Sequence, residues 1–326
     1  MDRRQVLAGV SAGVLTGLSR NARAQSAWPT RTIKIIVPFP PGGQGDLAAR
    51  PIADALQKRL GEAVIVENRA GGGGKTGNAA TARAEPDGYT LLMTLSSLAV
   101  LPEADRLFER PSLYEVDDLA PIARILADPT LLAVPASSPW KTLDDFVADA
   151  KARPGSIPYG SSGPYGTLHV AMEMFAAEAG IKLLHVPFTG AGPAMNALLQ
   201  GSIQALASAP GVLRSQADAG AIRVLANWGA ERVPSFPDVK TFKELGYPNV
   251  EFYIWAGLFA PAKTPPAIVN RLRAEVKDIM ADPVTPRIFE NAGSPPAWLD
   301  APDFSKFVEA DSARLIRAVK KIGKVG

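Results

Sequence analysis

Between Val37 and Asp46 the chain reads VPFPPGGQGD, a loop of prolines and glycines that follows the apolar run Ile33–Val37 and precedes a helical pattern over residues 46–60. A strand that breaks into Pro40-Pro41-Gly42-Gly43 and re-enters a helix leaves backbone N–H groups free at a helix N-terminus. Unpaired donors and the helix dipole together favour an anion there. The same arrangement returns over residues 157–167, IPYGSSGPYGT, now with the hydroxyls of Ser161, Ser162 and Thr167. Thr189-Gly190-Ala191-Gly192 is a third such loop, ahead of a helix over residues 194–200 with Pro193 in its first turn and Gly201 as its stop. Neither of the two major loops contains Arg or Lys, and a carboxylate satisfied by several neutral donors does not need one. The chemistry this points to is capture of a small anionic solute between the two halves of the chain.

Several residues in these loops also have structural readings. Asp46 reads as an N-cap that holds the first loop, because a carboxylate facing an anionic solute would repel it. Ser161, Ser162 and Thr167 can cap a helix or donate to a carboxylate, and the sequence leaves both open. His169 lies beside the stripe Leu168, Ala171, Met172, Phe175 and Ala179, where a buried structural imidazole and a solute-facing one fit equally well. His185, inside an apolar strand, reads as structural.

Two catalytic readings fail on particular residues. Gly160-Ser161-Ser162-Gly163-Pro164 approaches the G-x-S-x-G nucleophile elbow of a hydrolase, but Pro164 takes the last glycine position and stiffens a turn that must be sharp. His169 and His185 follow the serines too closely for the Ser-Asp-His order of such enzymes. Gly74-Lys75-Thr76 copies the end of a phosphate-binding loop, yet Arg69 stands where that motif needs its first glycine. No obvious acidic residue completes a magnesium site, and Gly71–Gly74 reads as a permissive loop near a cleft rim or on the surface. With no cysteine and no paired-histidine motif, neither a metal nor another cofactor is indicated.

The loops need strands and helices to aim them. Apolar runs at residues 32–37, 63–67, 89–93 and 120–126 alternate with helical stretches or turns, and a second set follows at 131–135, 157–160, 183–187, 203–208 and 222–226. That alternation reads as two parallel-sheet α/β units. Residues 252–261 form a late strand, and amphipathic helices follow over 266–280 and 303–320. Pro51 interrupts the first helix, which is expected to begin later or to kink there, although its apolar face Ile52, Leu56 and Leu60 is intact.

Residues 1–24 have the form of an export leader, with a charged start, a short apolar stretch over residues 6–18 and Ala22-Arg23-Ala24 as a cleavage site. Arg3-Arg4 leans towards the twin-arginine route, and cleavage after Ala24 leaves Gln25 first in the periplasm. The chain carries 35 basic and 32 acidic residues, but four arginines and one aspartate belong to the leader, so 31 of each remain. The formally neutral mature chain gives no basis for a nucleic-acid partner.

VPFPPGGQGD, the segment VENRAGGGGKTGN followed by EPDGYTLLM, then YGSSGPYGTLH, VPFTGAGPAMNALLQG, and VPSFPDVKTFKELGY with WAGLFAPAKTP together resemble the Bug or TctC family of periplasmic solute-binding proteins. These are associated with tripartite tricarboxylate transporters, and the match runs in order from about Thr32 to the end. The resemblance implies an α/β, two-domain, type II-like periplasmic binding protein, each domain a mainly parallel sheet flanked by helices, with the ligand cleft between them. Domain one is expected over residues 29–127 plus 250–326 and domain two over 128–249, with hinge segments near residues 131–136 and 252–260. The resemblance assigns solute binding, here of a small organic carboxylate, to Phe39, Pro41, Gly42, Gly43, Gln44 and Asp46 in the first loop. Ser161, Ser162, Gly163, Gly166, Thr167 and His169 serve in the second, and Thr189, Gly190 and Ala191 in the third; Ser208, at the end of an apolar strand, is a further candidate for solute binding. A monomer without catalytic activity is expected, working with transporter membrane subunits or a sensor. An amino-acid solute or a hydrolase built on Ser161 or Ser162 are the alternatives.

Overall fold

A computed structural model describes residues 28–324; the leader over residues 1–24 lies outside the described residues. The chain first forms β1 (Ile33–Val37), α1 (Gln44–Leu60), β2 (Val64–Asn68), α2 (Lys75–Ala82), β3 (Thr90–Leu95), α3 (Ser97–Leu107) and β4 (Leu119–Pro129). It then crosses to β5 (Leu131–Pro135), α4 (Leu143–Ala152), β6 (Pro158–Ser161), α5 (Thr167–Ala179), β7 (Leu184–Pro187), α6 (Ala191–Leu199), β8 (Ala205–Ser208), α7 (Pro210–Asp218) and β9 (Ile222–Asn227). It returns through β10 (Tyr253–Pro261), α8 (Pro266–Ala281), α9 (Val284–Asn291), β11 (Pro296–Asp300) and α10 (Ala301–Ile322).

Two sheets result, ordered β11-β4-β10-β3-β1-β2 and β7-β6-β8-β5-β9. The parallel pairs, β1 with β2 and β3, and β6 with β7 and β8, are the expected strand–helix–strand units. Each sheet is nonetheless mixed where mainly parallel pairing was expected. In the first, β10 is antiparallel to both β3 and β4, and β11 to β4; in the second, β5 is antiparallel to β8 and β9. The physical reason is the route of the chain: a parallel neighbour needs a crossover back over its own sheet, whereas β10 enters the first sheet directly from the second. At the crossing, Thr130 N–H donates to the Phe252 carbonyl, Trp228 N–H to that of Thr130, and Phe252 N–H to that of Trp228. The connecting segments are thus stitched together.

α1 buries Ala49, Ile52, Ala53 and Leu56, and Gly61 ends it in the left-handed conformation. It starts earlier than expected, capped by Gly43 rather than Asp46, and runs unbroken through Pro51. Pro51 offers no N–H to the Leu47 carbonyl one turn back, and the buried apolar face outweighs that loss. α9 and β11 went unpredicted. β11 is short and none of its residues is fully buried, so it shows no alternation; α9 carries Pro286 within eight residues.

α10 closes the first lobe. Phe304, Val308, Leu315 and Val319 are buried, Trp255 Nε1 donates to Asp311 at 2.8 Å, and the Phe304 ring lies where a Cβ on Gly257 would come within 2.3 Å. Phe304→Ala should therefore lower stability by about 3–5 kcal/mol in a urea titration. A loss under about 1 kcal/mol would show that α10 is not part of this core.

Candidate functional site

The first two loops and the third meet across the space between the sheets, and glycines let them do so. A Cβ on Gly190 would lie 2.5 Å from Pro40 Cδ, and one on Gly192 3.1 Å from the Pro41 carbonyl oxygen. On the other flank a Cβ on Gly163 would lie 3.1 Å from Gly73 N, and one on Gly73 3.3 Å from Gly166 Cα. Gly71–Gly74 is therefore a rim of the cleft, held there by Ser97 Oγ donating to the Gly73 carbonyl at 3.0 Å.

Behind these contacts lies a cavity of about 20 Å³, lined by Phe39, Gly43, Gln44, Leu95, Ser162, Thr167, Leu168, Ala191, Ser208, Ala209 and Ile254. Four helices begin on it: α1 after Gly43, α5 after Gly166, α6 after Gly190 and α7 after Ala209, and none has a side-chain cap. Their first-turn N–H groups and dipole ends converge on one point. Ser162 Oγ, Thr167 Oγ1, Ser208 Oγ and Gln44 Oε1 are buried and, among the described residues, have no hydrogen-bond partner. Buried hydroxyls normally find one, so the wall holds three hydroxyl donors without an acceptor, beside one amide oxygen without a donor. Among the described residues, no charged side chain lines it. A wider groove of about 540 Å³ between α3, β4 and α10 carries Arg106, Glu115, Asp117 and Glu309 and no such convergence.

Among the candidates, Phe39, Gly43, Gln44, Ser162, Thr167, Ala191 and Ser208 line the cavity. Pro41, Gly163, Gly166 and Gly190 form the glycine contacts around it; Thr189 belongs to the same loop, and Gly42 is held by Asp46 through its N–H. Asp46 is engaged elsewhere: it accepts from Arg50 Nε at 2.8 Å, from Asn68 Nδ2 at 3.1 Å and from Gly42 N at 3.2 Å. Burial raises its carboxyl, but these bonds outweigh burial and hold it below the usual carboxylate range. Asp46 therefore clamps the loop from behind.

Ser161 and His169 also lie outside the lining. Ser161 Oγ shares a 2.6 Å hydrogen bond with His185 Nε2 and accepts from Gly163 N–H. His169 Nδ1 accepts from Tyr165 N–H at 2.9 Å, and its ring stacks on His185 with centroids 4.1 Å apart. Burial pushes His169 down to about 3, with His185 adding to the shift, and pushes His185 down to about 4. Both are neutral at pH 7, so the 4.0 Å approach of Glu173 to His169 is no ion pair. Ser161 with His185 has the form of a nucleophile and base, but Ser161 is fully buried and, among the described residues, no carboxylate hydrogen-bonds to His185. Of the aromatics in the loops and β10, Trp255 is turned into the core against Asp311, and Tyr165 OH donates to the Gly323 carbonyl.

The apolar wall of Leu95, Leu168, Ala209 and Ile254 was missed, because it is assembled from four separate elements. Ala209 alone left a signal, as the residue before a first-turn proline at a strand end. Asp128 was missed too. It is 2 % exposed, stands opposite Ile254 on β10, and accepts a hydrogen bond from Gln44 Nε2. Burial pushes its carboxyl up to about 7, opposed by Ser294 and Gln44.

Residues 48–324 match the family model described as tripartite tricarboxylate transporter family receptor, TctC. The chain belongs to the TctC family. Solved structures place it among periplasmic binding proteins: BugD is 27% identical with a TM-score of 0.85, over 91% of this chain and 99% of that one. The structure of Rpa4515 from R. palustris with adipate is 30% identical with a TM-score of 0.84, over 91% and 98%. MatC (Rpa3494) from Rhodopseudomonas palustris, with bound malate, is 28% identical with a TM-score of 0.82, over 89% and 99%. This TctC-family chain is a solute-binding receptor rather than an enzyme.

Asp128 makes the pH dependence of its stability testable. Between pH about 4 and about 7 the unfolded chain has lost the Asp128 proton while the folded chain keeps it, so this group lowers stability as pH rises through that window. Asp128→Asn never ionises. Its stability relative to the parent should grow across the window towards a ceiling of roughly 4 kcal/mol, measured by urea unfolding at pH 4 and pH 8. An unchanged difference at the two pH values would refute the assignment.

Proposed function

We propose that this receptor captures a small carboxylate-bearing solute in the cavity between its two sheets and closes on it for uptake or sensing. The observation that carries the reading is the convergence of four uncapped helix N-termini and three unpartnered hydroxyls on a wall without any charge. Such a site stabilises an anion by fixed dipoles and hydrogen bonds alone. A volume of about 20 Å³ holds roughly one water, so solute enters only when the lobes separate, and contacts made only on closure shift the population. The adipate and malate bound by Rpa4515 and MatC support the carboxylate class.

Phe39, Leu95, Leu168 and Ile254 offer an apolar surface to the rest of the solute, and among the described residues no carboxylate lines the wall to receive an α-ammonium group. Both features favour an organic acid over an amino acid. The sheet memberships support domain one over residues 29–127 plus 250–326 and domain two over 128–249, hinged where Thr130, Trp228 and Phe252 exchange hydrogen bonds. We take the leader to direct twin-arginine export with cleavage after Ala24, and the closed monomer to be what transporter membrane subunits or a sensor recognise.

A thermal-shift screen of mono-, di- and tricarboxylates, aromatic acids and amino acids tests the solute class. A true solute at about 100 times its Kd should add roughly 2.7 kcal/mol; stabilisation by neutral sugars alone would defeat the reading. For the best acid, Ser162→Ala and Thr167→Val should each weaken binding about ten- to a hundred-fold with the fold intact.

Gly190 adopts an extended conformation that alanine tolerates, so Gly190→Ala opposes only the approach to Pro40. That variant should stay folded and show a more open scattering profile with weaker binding. A parental profile and affinity would show that this contact does not limit closure.

A further inference from the structure

We propose that Asp128 sets which end of the Gln44 amide faces the solute, so that capture of a carboxylate is coupled to uptake of one proton by Asp128. This rests on the carboxylate reading of the site. Gln44 is the first residue of α1, 3 % exposed, and lines the cavity. Its Nε2 donates to Asp128 Oδ2 while its Oε1 is buried without a partner. Asp128 stands behind it at the end of β4, and its register partner Ile254 lines the same cavity. One amide is all that separates the Asp128 carboxyl from the place where the solute carboxylate sits.

An ionised carboxylate only accepts hydrogen bonds. With Asp128 charged, the amide must keep Nε2 turned towards it, and Oε1 is the atom left for the solute. An acceptor then meets an anion, and a second anion lies behind it in a dry cleft, which disfavours both charges at once. A protonated Asp128 can instead donate to Oε1. The amide then turns over, and Nε2 joins the hydroxyls of Ser162, Thr167 and Ser208 as a donor to the solute.

Among the described residues nothing nearby neutralises Asp128. The polar groups that face it are Gln44 and Ser294, and no charged side chain contributes to its shift. The charged residues of the surrounding elements are engaged elsewhere: Asp46 and Arg50 of α1 with each other, Arg124 of β4 with the Ala297 carbonyl, and Asp311 of α10 with Arg314 and Trp255. With its carboxyl raised to about 7, both protonation states are accessible at neutral pH, and an anionic solute selects the protonated one.

Titration calorimetry with acetate, malate and adipate, in buffers of different ionisation enthalpy, counts the protons taken up. The parent should take up close to one proton per solute at about pH 8 and a small fraction of one at about pH 6. Its Kd should rise about tenfold per pH unit above neutrality. Asp128→Asn should take up none and bind at pH 8 as tightly as the parent does at pH 6. Binding by the parent without proton uptake at pH 8, or equal uptake by Asp128→Asn, overturns the coupling and leaves the carboxylate reading standing. Preference for an amine-bearing analogue without proton uptake also overturns it, since Asp128 would then stay charged to face a donor. Absence of binding by all three acids, with the protein folded, removes the carboxylate reading and the coupling with it.

Discussion

The constraint behind the proposed site is the cost of burying an anion where no cation waits for it. An unpaired charge in a dry interior is strongly unfavourable unless fixed dipoles replace the water it loses. Here the replacement is backbone. Four helices start on one small cavity without side-chain caps, and each follows the carboxyl end of a strand: α1 follows β1, α5 follows β6, α6 follows β7 and α7 follows β8. Parallel strand–helix units deliver helix N-termini to one edge of a sheet. Setting two such edges against each other creates the proposed site, and the mixed pairing elsewhere lets the chain cross and return.

Bringing helix ends that close requires loops with little bulk. Gly190 and Gly192 approach Pro40 and Pro41, and Gly73 approaches Gly163 and Gly166. Gly73 and Gly163 also hold φ values of 69° and 106°, a region that side chains avoid. The glycine-rich segment over residues 71–74 therefore has a reason unrelated to phosphate. Lys75, which suggested a nucleotide, is paired with Asp105.

Much of this was legible because proline and glycine punctuate the chain where strands hand over to helices. The three loops, α5 from end to end and β5 from end to end could be read that way. What was not legible depends on distance in sequence. The direction of β10 is absent from its own apolar run, since either orientation buries the same residues. Asp46 looked like a cap because local spacing shows neither the start of α1 after Gly43 nor the arrival of Asn68, 22 residues on, at one of its oxygens. Asp128 sits in an ordinary strand pattern, and only the arrival of α1 turns it into a buried acid beside the cavity.

A binding protein must be stable both filled and empty, and that requirement favours neutral donors over an arginine. A buried guanidinium matched to a carboxylate is left uncompensated when the solute departs, a state that costs several kcal/mol. Helix N-termini and hydroxyls carry only partial charge, and an opened cleft lets water satisfy them. The chain's two histidines follow the same rule, stacked and neutral with pKa values of about 3 and 4. Asp128 is the exception that fits: near pH 7 it can shed its charge by taking a proton, so it burdens neither state with a fixed buried ion.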